Sequence, residues 1–144
     1  MTLSEIQQVL ANLQASPTRT LGQNFLYDQN LAQRIVDLLD IQPGDHIVEI
    51  GPGLGALTCF LQRPDIRLTL IEKDDRLIEH LRRTYESGTT RVFHADALEF
   101  DLRKLWGQGP VKVIGNLPYY ISTPLIAKYA SALSPASKLV LTLQ

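Results

Sequence analysis

His46-Ile47-Val48-Glu49-Ile50-Gly51-Pro52-Gly53-Leu54-Gly55-Ala56 decides the fold of this 144-residue chain. Its first five residues read as a buried strand, and the three alternate glycines then form a loop that opens a helix from about Ala56 to Gln62. Glycine lets the backbone turn tightly and approach a ligand where a Cβ would collide. Outward from this stretch, short β-type runs alternate with helical ones. Arg67–Ile71, Arg91–His94, Val111–Ile114 and Lys138–Leu143 read as further strands. Asp75–Tyr85 reads as a helix with Leu77, Ile78, Leu81 and Tyr85 on one face, and a second is expected near Pro124–Leu133. Upstream, a helix over about Gln29–Leu39 ends at the turn Gln42-Pro43-Gly44-Asp45. This alternation predicts an α/β fold whose mostly parallel sheet carries helices on both faces.

Two expectations concern the ends. Leu3, Ile6, Leu10 and Leu13 lie at helical spacing, so residues 1–18 are read as a helical extension broken at Ser16-Pro17-Thr18. The chain stops on the apolar run Leu139–Leu143, so it is expected to be a fragment of a longer protein, truncated after about the fifth strand. The open strand edge of such a fragment invites self-association.

Composition narrows the class. With 44% hydrophobic and 20% charged residues and a net charge of -1, the chain belongs among soluble globular domains. No apolar run approaches the roughly 20 residues that span a bilayer. MTLSEIQQVL has no basic segment ahead of an apolar one, so no signal peptide and no membrane partner are expected. A lone Cys59, read as a core residue, excludes an intramolecular disulfide and a Cys-rich zinc site and fits a cytoplasmic location. His46, His80 and His94 show no metal-ligand spacing, so no metal is expected. The charge is uneven: residues 1–72 hold 4 basic and 8 acidic side chains, residues 73–144 hold 10 and 7. That gradient leaves room for a polyanion on one face, and a plain solvated surface explains it equally.

Chemistry concentrates where strands end. Glu72 closes the second strand, 21 residues after Gly51, where a carboxylate suits two ribose hydroxyls. The pair points to a nucleoside-containing cofactor and leaves a nicotinamide dinucleotide open. Asp96 follows the third strand, where it can accept a proton from an adenine amino group or serve as the N-cap of a following helix. The fourth strand runs into Gly115-Asn116-Leu117-Pro118-Tyr119-Tyr120. An adenine amino group is a poor nucleophile because its lone pair is delocalised into the ring. The amide oxygen of Asn116 and the backbone carbonyl of Leu117 offer two acceptors that favour a pyramidal nitrogen. Pro118 stiffens the turn, and Tyr119 offers a ring face for an extruded base. Trp106, between charged residues and glycines, reads as a cover for the sheet edge.

Taken in order, Leu21-Gly22-Gln23-Asn24-Phe25-Leu26, Glu49 through Gly55, Ile71-Glu72, Asp96-Ala97 and Asn116 through Tyr120 resemble the ribosomal RNA adenine dimethyltransferases, the KsgA/RsmA family. That family is related to the erythromycin-resistance methylases and to mitochondrial transcription factor B. The resemblance runs from about residue 19 to the end. It implies a Rossmann-like class I methyltransferase fold for residues 19–144, S-adenosylmethionine as cofactor, and small-subunit ribosomal RNA in the pre-ribosomal small subunit as substrate. The implied activity is dimethylation of the 6-amino groups of two adjacent adenines, with the fragment itself weakly active or inactive. The matching positions imply cofactor contacts at Asn24, Leu26, Gly51, Glu72, Asp96 and Asn116, and catalytic roles for Asn116, Leu117 and Tyr119. Gln23 and Glu49 match further cofactor contacts. Two other classes share parts of this pattern: a nicotinamide-dependent oxidoreductase, and a non-catalytic RNA-binding or transcription-factor module.

Overall fold

The computed structural model describes Ser4, Gln8, Ala11 and residues 28–142, except for the side chains at 106–108. Ser4, Gln8 and Ala11 are helical and exposed. The apolar face expected at Leu3, Ile6, Leu10 and Leu13 lies outside the described residues, as do Gln23, Asn24, Leu26 and the side chain of Trp106. The elements are α1 (Gln29–Asp37), β1 (His46–Ile50), α2 (Thr58–Leu61), β2 (Arg67–Glu72), α3 (Asp75–Tyr85), β3 (Thr90–His94), a 3₁₀ helix (Leu102–Gln108), β4 (Val111–Asn116), α4 (Tyr119–Tyr129) and β5 (Ala136–Thr142).

The five strands form one sheet in the order β3-β2-β1-β4-β5, and every pairing is parallel. Parallel strands are covered on both faces, and side chains alternate between those faces. Ile47, Leu68, Leu70, Val92 and Ile114 pack with residues of α1, α2 and α3. Val48, Ile50, Ile71, Val111 and Val113 pack on the opposite face with Leu102, Leu105 and α4. The chain steps outward from β1 to β3, then returns to pair β4 on the other side of β1. Ligands of open parallel sheets bind beyond the carboxyl ends of the strands at such a reversal.

Three helical expectations need correction. The helix after the glycine loop is a single turn, Thr58–Leu61, because positive φ at Gly51, Gly53 and Gly55 keeps the preceding segment in turns. Cys59 is exposed rather than core, since Thr58 and Leu61 occupy the inward face of that turn. The last helix begins at Tyr119, five residues before Pro124, and Pro124 lies inside it. Pro118 caps this helix, and its carbonyl accepts from the backbone N–H groups of Ile121 and Ser122, both at 3.1 Å.

Candidate active site

A cleft of about 310 Å³ opens where the carboxyl ends of β1, β2, β3 and β4 converge. Gly51 and Gly53 line it from the loop after β1, Glu72 from the end of β2, Asp96 and Ala97 from beyond β3, and Asn116 and Leu117 from the end of β4. Residues separated by up to 66 positions therefore share one wall because their strands are parallel and in register.

The floor at the switch point leaves no room for a larger residue. A Cβ on Gly51, whose φ is +62°, would stand 2.7 Å from Leu117 Cδ2. One on Gly55, at φ +91°, would overlap the Tyr85 ring. Both positions thus need glycine for conformation and for space.

Glu72 is nearly buried, with both carboxylate oxygens directed to the loop backbone. Oε2 accepts from Gly53 N–H at 3.1 Å and Oε1 from Asp74 N–H at 2.8 Å. Burial pushes its carboxyl above the usual range, while those N–H bonds pull it back. Asp96 sits in a more open position. Its Oδ2 accepts from Lys73 Nζ at 2.8 Å and its Oδ1 from Leu98 N–H at 2.9 Å. The Lys73 ammonium holds the Asp96 carboxyl below its ordinary value. A turn and not the expected helix follows Asp96, so its carboxylate caps that turn while it lines the cleft. Asn116 Oδ1 accepts from the Thr142 hydroxyl at 2.5 Å, a partner on β5 that the sequence did not suggest. Leu117 is buried, and its carbonyl lies 3.5 Å from the Ser122 hydroxyl. Tyr119 does not line the cleft. It stands outside at the start of α4, 67% exposed, with its ring 6.0 Å from that of Tyr120 and nearly perpendicular to it. Ile71, Ala97 and Ile121 add apolar walls, and of these Ile121 was not singled out from sequence.

Glu49 does not reach the cleft lining. It is fully buried near the glycine loop and accepts 2.6 Å from the Thr58 hydroxyl. Burial pushes its carboxyl to about 8, with the Thr58 hydrogen bond opposing and the nearby Glu72 charge adding. A folded value raised above the ordinary 4.5 gives stability that is complete below pH 4.5 and is lost as pH rises toward 8. His46, at the far end of β1, pairs through Nε2 with Thr69 at 2.7 Å. Burial lowers its value from 6.5 to about 4, so its contribution is complete above pH 6.5 and is lost as pH falls toward 4. Of the two, only Glu49 still titrates between pH 6.5 and 8. Urea unfolding should report its share as a fall of about 2 kcal/mol across that window. Glu49→Gln should flatten the decline, and an undiminished decline in that variant would exclude Glu49 as its source.

Among the described residues no group of three or more His, Cys, Asp or Glu is placed to hold a metal ion, and no helix is long and apolar enough to cross a membrane. Solved structures similar to this chain include RNA-modifying methyltransferases. The 23S rRNA methyltransferase ErmE aligns with a TM-score of 0.72 at 27% identity, over 84% of this chain and 48% of that one. A dimethyladenosine transferase from Plasmodium falciparum aligns with a TM-score of 0.67 at 28% identity, over 84% and 43%. The fold is thus that of the Rossmann-like methyltransferases.

Within that class the family is also decided. The model described as "Ribosomal RNA adenine dimethylase" matches residues 15–144, and the chain belongs to that family. Ribosomal RNA small subunit methyltransferase A of Prosthecochloris aestuarii is 47% identical over 110 residues, which cover 76% of this chain and 41% of that protein. Its namesake in Alkaliphilus metalliredigens is 42% identical over 132 residues, covering 88% and 46%. The chain spans less than half the length of these curated relatives.

Proposed function

We propose that this chain forms the S-adenosylmethionine-binding part of an enzyme that dimethylates the 6-amino groups of two adjacent adenines in small-subunit ribosomal RNA. The observation that carries this reading is the convergence of Glu72, Asp96 and Asn116-Leu117 on one cleft in a member of this family. The cleft suits the cofactor in chemistry. Glu72 offers a carboxylate to ribose hydroxyls, Asp96 an acceptor to an adenine amino group, and Ile71, Ala97 and Ile121 apolar walls to a purine ring. Gly51 and Gly53 offer close backbone approach on the methionine side. Asn24 and Leu26 are proposed to complete the contacts by their match to the family motif.

The bound cofactor supplies an electrophilic methyl group on a sulfonium. The chain's own task is to align the target amine with that methyl group. Asn116 Oδ1 and the Leu117 carbonyl accept the two hydrogens of the target amine, directing its lone pair away from them. Thr142 orients the Asn116 amide through its hydroxyl. Tyr119, exposed beside the mouth, presents a face for the extruded base. The product cation loses its proton to water, so no side chain is assigned as a general base.

Calorimetry with S-adenosylmethionine against NAD tests the cofactor assignment, and methyl incorporation into undermethylated small subunits tests the reaction. Binding of NAD alone would favour an oxidoreductase. Cofactor binding without incorporation by the whole protein would favour an RNA-binding module. The reading carries a cytoplasmic location with it. β5 is the edge of the sheet among the described residues, and Leu139, Val140 and Leu141 are only half-buried. Pairing at that edge should give the 144-residue chain a mass above monomer in light scattering.

A further inference from the structure

The segment that follows β3 is a single turn closed on Asp96. The N–H groups of Glu99 and Phe100 bond the Asp96 carbonyl at 3.0 and 2.8 Å, and its carboxylate holds the Leu98 N–H. Such a turn leaves carbonyls at its far end without donors from the turn itself. Here those carbonyls share one cation. Lys128 Nζ, near the end of α4, lies 3.0 Å from the Ala97 oxygen, 2.8 Å from that of Leu98 and 2.6 Å from that of Phe100. An ammonium has three donors, and all three are engaged. The next residue adds a fourth bond, because the buried Tyr129 hydroxyl donates to the Ala97 carbonyl at 3.0 Å.

One helix therefore ends at both halves of the cleft. Its first turn follows Asn116-Leu117-Pro118, and its last turn grips the loop that carries Asp96 and Ala97. Nothing about Lys128 in the sequence announces this, since it lies 31 positions from Ala97. We infer that Lys128 and Tyr129 are positioning residues that hold the Asp96–Phe100 turn in the geometry that recognises the 6-amino group of the cofactor's adenine. The inference rests on the cofactor reading above. Neither side chain lines the cleft, so each acts through the loop and not by touching the ligand.

The consequence is specific to the 6-position edge of the ligand's purine. Asp96 accepts from an amino group and repels a carbonyl oxygen in its place. Loosening the turn should blunt that discrimination, whereas a general weakening of the fold would lower affinity for any cofactor alike. The probes are S-adenosylhomocysteine and S-inosylhomocysteine, which carry an amine or a carbonyl oxygen at position 6, the carbonyl form also carrying a proton on the adjoining N1. The unaltered protein should prefer the adenosyl ligand by about ten-fold or more, as for a hydrogen bond to a charged group. Lys128→Met keeps the length of the apolar stem and removes the ammonium. In that variant the preference should fall toward parity, mainly through weaker binding of the adenosyl ligand. Tyr129→Phe, which loses only the bond to Ala97, should give a smaller fall and serves if the Lys128 variant does not fold. Equal weakening for both ligands, or an unchanged preference in the folded variants, would overturn the inference. Failure of the unaltered protein to bind either ligand would overturn the cofactor reading beneath it.

Discussion

Glu72→Ala is expected to weaken S-adenosylmethionine binding by about ten-fold or more, because hydrogen bonds to a charged acceptor are worth roughly 1.5–3 kcal/mol. The structure adds a reason beyond the ribose. The same carboxylate ties Gly53 N–H and Asp74 N–H together, and so fixes the glycine loop against the start of α3. Removing it releases both backbone groups at the cleft wall while deleting the ligand's own partner. The fold should survive. Burial raises the Glu72 carboxyl value, which means that its ionised form costs stability as pH rises above 4.5, and alanine removes that cost. Calorimetry and thermal melting on the same variant therefore separate the two effects. An unchanged dissociation constant in a folded Glu72→Ala protein would remove Glu72 from the ribose.

The parts of this molecule that were legible in sequence are those set by short-range pattern. The buried strands announce themselves because a strand covered on both faces carries consecutive apolar residues, as in Ile47-Val48 and Leu70-Ile71. Glu72 and Asp96 were found because a parallel sheet sends every strand end to one edge, so position in a strand already fixes position in the cleft. Boundaries were less legible. The helix expected near Pro124–Leu133 starts at Tyr119, and Pro124 occupies its sixth position, where it offers no N–H to the Tyr120 carbonyl. Glu49 resembled a ligand contact by motif, but only burial reveals that its partner is Thr58. The Lys128 and Thr142 contacts join segments 26 to 31 residues apart, and no local periodicity encodes them.

The placement of Tyr119 at the first turn of α4 separates two roles that its motif alone leaves joined. Its ring is 67% exposed and outside the cleft lining, so the cofactor should not sense it. Tyr119→Ala is accordingly expected to leave the S-adenosylmethionine dissociation constant unchanged. Methyl transfer to undermethylated small subunits should fall by about five-fold to more than a hundred-fold, the equivalent of roughly 1–3 kcal/mol of base stacking. Tyr119→Phe keeps the π-face and loses only a hydroxyl, so its transfer rate should stay close to that of the unaltered protein. The neighbouring Tyr120 ring meets Tyr119 edge-on and helps hold the ring's orientation, an arrangement that phenylalanine preserves. Labelled-methyl incorporation by the whole protein, with calorimetry alongside, measures both quantities. Equal damage from alanine and phenylalanine would assign the function of Tyr119 to its hydroxyl and end the stacking account.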